Sequence, residues 1–119
     1  LQDATRLIDR RLEQRPLCLD DKPSAGFPAV KGVFFNVYVE KVQPYLSRVQ
    51  RARNSVIGPL RRLAEQQASV MPDAFLRFYQ TDLAEDGSRS LWRQLDLAID
   101  AHTKAWQRLL GQCGQRPSA

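Results

Sequence analysis

Acidic residues are missing from one long interval of this chain: nothing between Glu40 and Glu65 carries a negative charge. The same interval holds Lys41, Arg48, Arg51, Arg53, Arg61 and Arg62, six positive charges in a 119-residue chain whose formal net charge is only +5. Such a field needs a counterpart, whether the domain's own carboxylates, solvent ions or an anionic partner. Histidine is limited to His102, and cysteine to Cys18 and Cys113, 95 positions apart. One imidazole and two remote thiols do not supply the ligands of a zinc site, so no metal is expected. There is no apolar run of 18 residues to span a membrane, and no secretory pattern. The chain starts at Leu1 rather than Met, as an excised domain or a processed product would, so missing signals decide little.

Catalytic patterns are missing as well. Gly26 and Gly32 enclose Phe27 and Pro28, and no Gly-Lys-Ser/Thr follows, so there is no phosphate loop. Ser24, Ser47, Ser55 and Ser88 lie in no nucleophile elbow, and any triad would have to use the lone histidine. A phosphotransfer histidine needs Lys three and Gly four residues further on, where Ala105 and Trp106 stand. His102 is therefore read as a half-buried histidine at the core edge. Asp96 and Asp100 lie one turn apart on a polar helix side, and Lys104 follows Asp100 at i+4, which a surface ion pair explains. The expectation is a non-enzymatic domain without cofactor.

What is present is helical periodicity. Apolar residues make up 43% of the chain and charged residues 26%, a globular composition. Asp3 can cap a helix from Ala4 to Gln14. Residues 16–32 read as a long loop punctuated by Pro16, Pro23, Pro28, Gly26 and Gly32. Residues 33–42 alternate like a strand, but the register Val30, Phe34, Val37, Lys41, Tyr45, Val49, Ala52, Val56, Leu60 is helical and far longer, which predicts a helix. Pro44 should bend it, and Gly58-Pro59 should divide it into a helix ending near Ile57 and another from Pro59 to Ser69. A short helix is expected over 73–83. Ser88 is expected to cap the clearest one, 89–110, whose stripe includes Trp92, Ile99, His102 and Trp106. The predicted fold is all-α: a small antiparallel bundle of four or five helices with a long N-terminal loop, one domain over 1–111, and a flexible tail over 112–119. Cys18 and Cys113 can approach in such a bundle, and a bridge is possible in an oxidising compartment, but two free, semi-buried thiols are expected. The compartment stays open, tilted to the cytoplasm.

The basic segment carries the functional expectation. On a continuous helix Arg48, Arg51 and Arg62 share a face, with Arg53 and Arg61 flanking it, Lys41 before it, and Tyr45 one turn ahead of Arg48 to stack. Phe34 and Phe35 point apart, so one face cannot bury both, and Phe35 with Tyr38 supplies surplus aromatic surface. The expected partner-binding set is Lys41, Tyr45, Arg48, Arg51, Arg53, Arg61, Arg62, Phe35 and Tyr38. The partner is an acidic protein surface or larger complex. The alternatives are a nucleic-acid backbone, a face solvated or paired internally, and self-association through surplus apolar surface.

Overall fold

The computed structural model describes residues 1–20 and 22–117. Helix dominates it: α1 (Gln2–Leu12), α2 (Phe27–Val33), the π-helical stretch π1 (Phe34–Val42), α3 (Gln43–Gln67), α4 (Asp73–Phe78), a second such stretch π2 (Tyr79–Leu83) and α5 (Leu91–Gly111). Among the described residues the only sheet is the antiparallel pair β1 (Cys18–Leu19) and β2 (Lys22–Pro23). The all-α class holds, and no described helix is long and apolar enough to cross a membrane. The chain divides into two compact units, Leu1–Gln43 with Ala98–Ala119, and Pro44–Leu97.

Helix α1 starts and ends two residues before the expected Ala4 and Gln14, with Leu1 and not Asp3 at its cap, and three other boundaries differ from expectation for a local reason. Helix begins at Phe27, inside the expected 16–32 loop, because Pro28 occupies the first turn, where its fixed φ suits a helix and its missing N–H is no loss. The rest of that segment is the β1–β2 hairpin and its turns; Asp21 lies outside the described residues. Helix α3 runs through Gly58-Pro59 without a break. An interior proline costs about 3 kcal/mol, but ending the helix at Ile57 would release the face carrying buried Ile57 and Ala64. Ser90, not Ser88, caps α5: its buried Oγ accepts from the Arg93 N–H at 3.4 Å. The turn before it is close-packed at Gly87, where a Cβ would meet the Thr81 carbonyl oxygen at 2.5 Å.

The first unit has a core of Ile8, Leu17, Phe34, Tyr38, Ala105, Trp106, Leu109 and Leu110. Paired residues set the helix directions. Thr5 meets His102 and Asp9 meets Arg108, so α1 runs parallel to α5. Phe34 meets Trp106 and Tyr38 meets Thr103, so π1 runs antiparallel to it. Cys18 and Cys113 form a disulfide, with Cα atoms 5.2 Å apart, where free thiols were expected. The parallel course of α1 and α5 carries both cysteines to the same end. The expected flexible tail is held down through its described part. The Leu17 N–H donates to Gln112 Oε1 at 3.0 Å, and Gln107 Nε2 donates to the Pro117 carbonyl at 3.3 Å. Ser118 and Ala119, also assigned to that tail, lie outside the described residues.

The second unit has a smaller core of Ala64, Tyr79 and Ala84, flanked by Leu60, Met71 and Leu83. In π2 the Ala84 N–H reaches back five residues to the Tyr79 carbonyl at 2.7 Å.

The π1 stretch is wound more loosely than an α-helix. Its ladder is i→i+5, as in the Gln43 N–H bond to the Tyr38 carbonyl. A wider turn brings residues four apart into line, so Phe34 is followed on the buried face by Tyr38, not by Val37. The α-helical register aligns Val37, Tyr45, Ala52 and Val56 along one side, with Tyr45 expected as a contact. The residues turned inward are instead one position later: Tyr38, Arg53 and Ile57 are buried, and Val42 and Leu46 are half-buried.

Candidate functional site

That one-residue offset rearranges the expected site on α3. Arg53 shares the inward face with Ile57, Leu60 and Ala64, at i+4, i+7 and i+11, and only 9% of it is exposed. Its Nε and Nη2 donate to Glu85 Oε1 at 3.1 and 2.9 Å, and its Nη1 donates to Asp96 Oδ1 and Oδ2 at 2.9 and 3.0 Å. The guanidinium carbon lies 5.4 Å from the centre of the Trp92 ring, whose N–H donates to the Leu83 carbonyl at 3.0 Å. Burial opposes the charge, but the carboxylates of Asp96 and Glu85 outweigh it and raise the Arg53 pKa. Arg53 is therefore a structural cation of the second unit and leaves the partner-binding set. Asp96, expected as a surface carboxylate on the polar side of its helix, serves Arg53. Asp100 does form the expected i+4 pair with Lys104, at 2.8 Å.

Arg48, Arg51, Arg61 and Arg62 are exposed. No carboxylate among the described residues lies within ion-pairing distance of them. Arg48 lies over the Tyr45 ring at 5.9 Å, the stacking expected one turn apart. At about 100° per residue, Arg48, Arg51 and Arg62 fall opposite Arg53. Alongside them runs an apolar stripe: Tyr45, expected as a contact, is 58%, Val56 56% and Leu63 45% exposed. Ala52 and Pro59 are exposed between them. Helix α3 thus buries a charge and exposes aliphatic and aromatic surface, the reverse of the usual partition.

Lys41, Phe35 and Tyr38 belong to the first unit. Lys41 is exposed, and Phe35 is 45% exposed with the Lys31 ammonium 6.0 Å from its ring centre. Tyr38 is only 5% exposed, and its hydroxyl lies 3.2 Å from Thr103 Oγ1, so it is a core residue and not a contact. The expected set therefore divides: Tyr45, Arg48, Arg51, Arg61 and Arg62 share the second unit, Lys41 and Phe35 stay exposed in the first, and Tyr38 and Arg53 are withdrawn.

The first unit also has an apolar groove of about 400 Å³, walled by Leu7, Val33 and Val37 and floored by Tyr38, His102 and Trp106. The histidine in its floor is fully engaged. The Trp106 N–H donates to His102 Nε2 at 3.0 Å, so that nitrogen is the acceptor. The Thr5 hydroxyl donates to the Leu1 carbonyl at 2.9 Å and lies 2.9 Å from His102 Nδ1, which therefore donates to it. These bonds define the neutral Nδ1–H tautomer, and burial lowers the His102 pKa in the same direction. Expected half-buried, His102 is fully buried. Among the described residues no cluster of three or more His, Cys, Asp or Glu could hold a metal ion.

No curated protein and no solved structure matches the chain. A family described as "Protein of unknown function (DUF3080)" matches it over residues 1–117, and the chain belongs to that family.

Proposed function

We propose that this domain is a non-enzymatic interaction module that binds an acidic surface of a protein partner through the outward face of α3. One observation carries the reading. On a single helix the inward arginine is satisfied by two carboxylates, while Arg48, Arg51 and Arg62 have none among the described residues and lie beside exposed Tyr45, Val56 and Leu63. Arginine mixed with aromatic and aliphatic surface is the composition of protein interfaces, and a merely solvated face has no use for the apolar part. Within a unit the helices of this reading run antiparallel, as π1 and α5 do, with α1 the exception.

Nucleic acid is the second reading, favoured by the same guanidinium groups and by Tyr45 as a stacking ring. The aliphatic residues support the protein partner instead, because Val56 and Leu63 gain nothing along a phosphate backbone. The test is capture from native lysate by the wild-type chain and by the triple variant Arg48→Glu, Arg51→Glu, Arg62→Glu, with and without nuclease, at two salt concentrations. An acidic protein captured despite nuclease, and lost in the variant, is the expected result. Equal capture by both chains removes the site. Recovery that nuclease abolishes, with a log–log salt slope of about −0.7 to −0.9 per phosphate, transfers the face to nucleic acid.

A further inference from the structure

We infer that the element seated on α3 is an amphipathic helix of another protein, apolar along one seam and acidic along its edge. The inference rests on the interaction reading above and deepens it. Two series on α3 recur every seven residues, offset by four: Tyr45, Ala52 and Pro59, and Val49, Val56 and Leu63. These are the d and a positions of a heptad, the spacing at which one helix receives the side chains of another. All but Val49 are exposed, and Val49 is half-buried. The seam from Tyr45 to Leu63 is about 27 Å long at 1.5 Å per residue, which takes a partner helix of about five turns.

The edges of the seam identify the occupant. On one side the flanking positions are Leu46, Arg53 and Leu60, which the second unit turns inward for its own packing. On the other side they are Arg48, Ser55 and Arg62, seven residues apart and exposed. In paired helices this is the position that meets a charge on the partner, so a matching helix carries Glu or Asp there. A second copy of this chain does not fit. Laid antiparallel it would set Arg48 against Arg62 of the other copy, and laid parallel it would leave both arginine edges without a counter-charge. A flat acidic surface would satisfy the arginines but not the seven-residue recurrence of the apolar positions.

Two synthetic peptides of about three heptads test this, both of the same Leu- and Glu-rich composition. One has leucine at the a and d positions and glutamate at the edges. The other is scrambled so that no seam forms. Each is titrated into the full chain, into Val56→Asp and into Arg62→Glu, with binding read by fluorescence anisotropy and by NMR shifts. The expected result is binding of the heptad peptide with shifts at Tyr45, Val56 and Leu63. Its affinity should fall about tenfold or more in either variant and should exceed that of the scrambled peptide by a similar factor. Equal binding of both peptides overturns the helix while leaving the acidic partner standing. Binding of neither overturns both. Sedimentation showing a dimer that Val56→Asp dissolves gives the seam to a second copy and also overturns the inference.

Discussion

Replacing Arg53 by alanine should cost far more stability than the same change at any other arginine of α3. The side chain is 9% exposed, makes four charge-assisted contacts to Glu85 and Asp96, and faces Trp92. Removing one member of a buried ion pair costs about 3–5 kcal/mol, most of it the stranded charge. Here the stranded groups are carboxylates whose side chains are 51% and 52% exposed, so they regain water and the loss shrinks to about 2–3 kcal/mol. The Trp92 contact adds about 0.5–1 kcal/mol, for a total near 3 kcal/mol. Arg48→Ala, on the opposite face, should stay within about 0.5 kcal/mol. Urea denaturation in a Trp106→Phe background, followed by Trp92 fluorescence, measures each. A double-mutant cycle of Arg53→Ala with Asp96→Ala should give a coupling of about 1–2 kcal/mol. Equal costs at Arg53 and Arg48, or a coupling near zero, would refute the assignment of Arg53 as the internal cation.

Two further outcomes follow from the first unit. The disulfide closes a loop of 95 residues, and chain entropy puts its contribution at about 4.7 kcal/mol at most. The double change Cys18→Ser, Cys113→Ser should lower the urea midpoint reported by Trp106 fluorescence, and an unchanged midpoint would show that the bridge constrains nothing. His102 is held neutral with its pKa below 6.5, so the unfolded chain takes up the proton first as pH falls. Its contribution is intact above about pH 7.5 and declines through pH 6.5 toward the lowered folded value. Stability should therefore be lower at pH 5.5 than at pH 8, with the difference reduced in His102→Gln. Equal pH dependence in wild type and variant would contradict the tautomer assigned from Thr5 and Trp106.

Much of the helical layout was legible. Over 73–83 and along α5 the apolar period is regular and the punctuation clear, and both helices lie where expected within two residues. Phe34 and Phe35 divide as adjacent helical residues must, one inside and one out. Arg53 was legible in principle, since Arg53, Ile57, Leu60 and Ala64 recur at helical spacing. Its charge hid it: reading apolar residues as inward favours Ala52 and Val56 over a register containing an arginine. The carboxylates that make Arg53 acceptable inside stand 32 and 43 residues away. Nothing local announces them. The disulfide was hidden similarly, because its geometry depends on α1 running parallel to α5, and turn residues between distant helices do not encode that.

Composition and period alone determined that this chain is helical and that its cationic interval is carried on helix, though they divided that interval at Gly58-Pro59 and set the lone histidine only at a core edge. These follow from the 3.6-residue repeat and from side-chain chemistry, which need no neighbour. Which face of α3 turns inward was decided only in three dimensions. The second unit turns Arg53, Ile57, Leu60 and Ala64 inward, and the carboxylates of Glu85 and Asp96 make that register acceptable by neutralising Arg53. A shift of about 100° around one helix therefore separates a structural arginine from a row of arginines left facing outward.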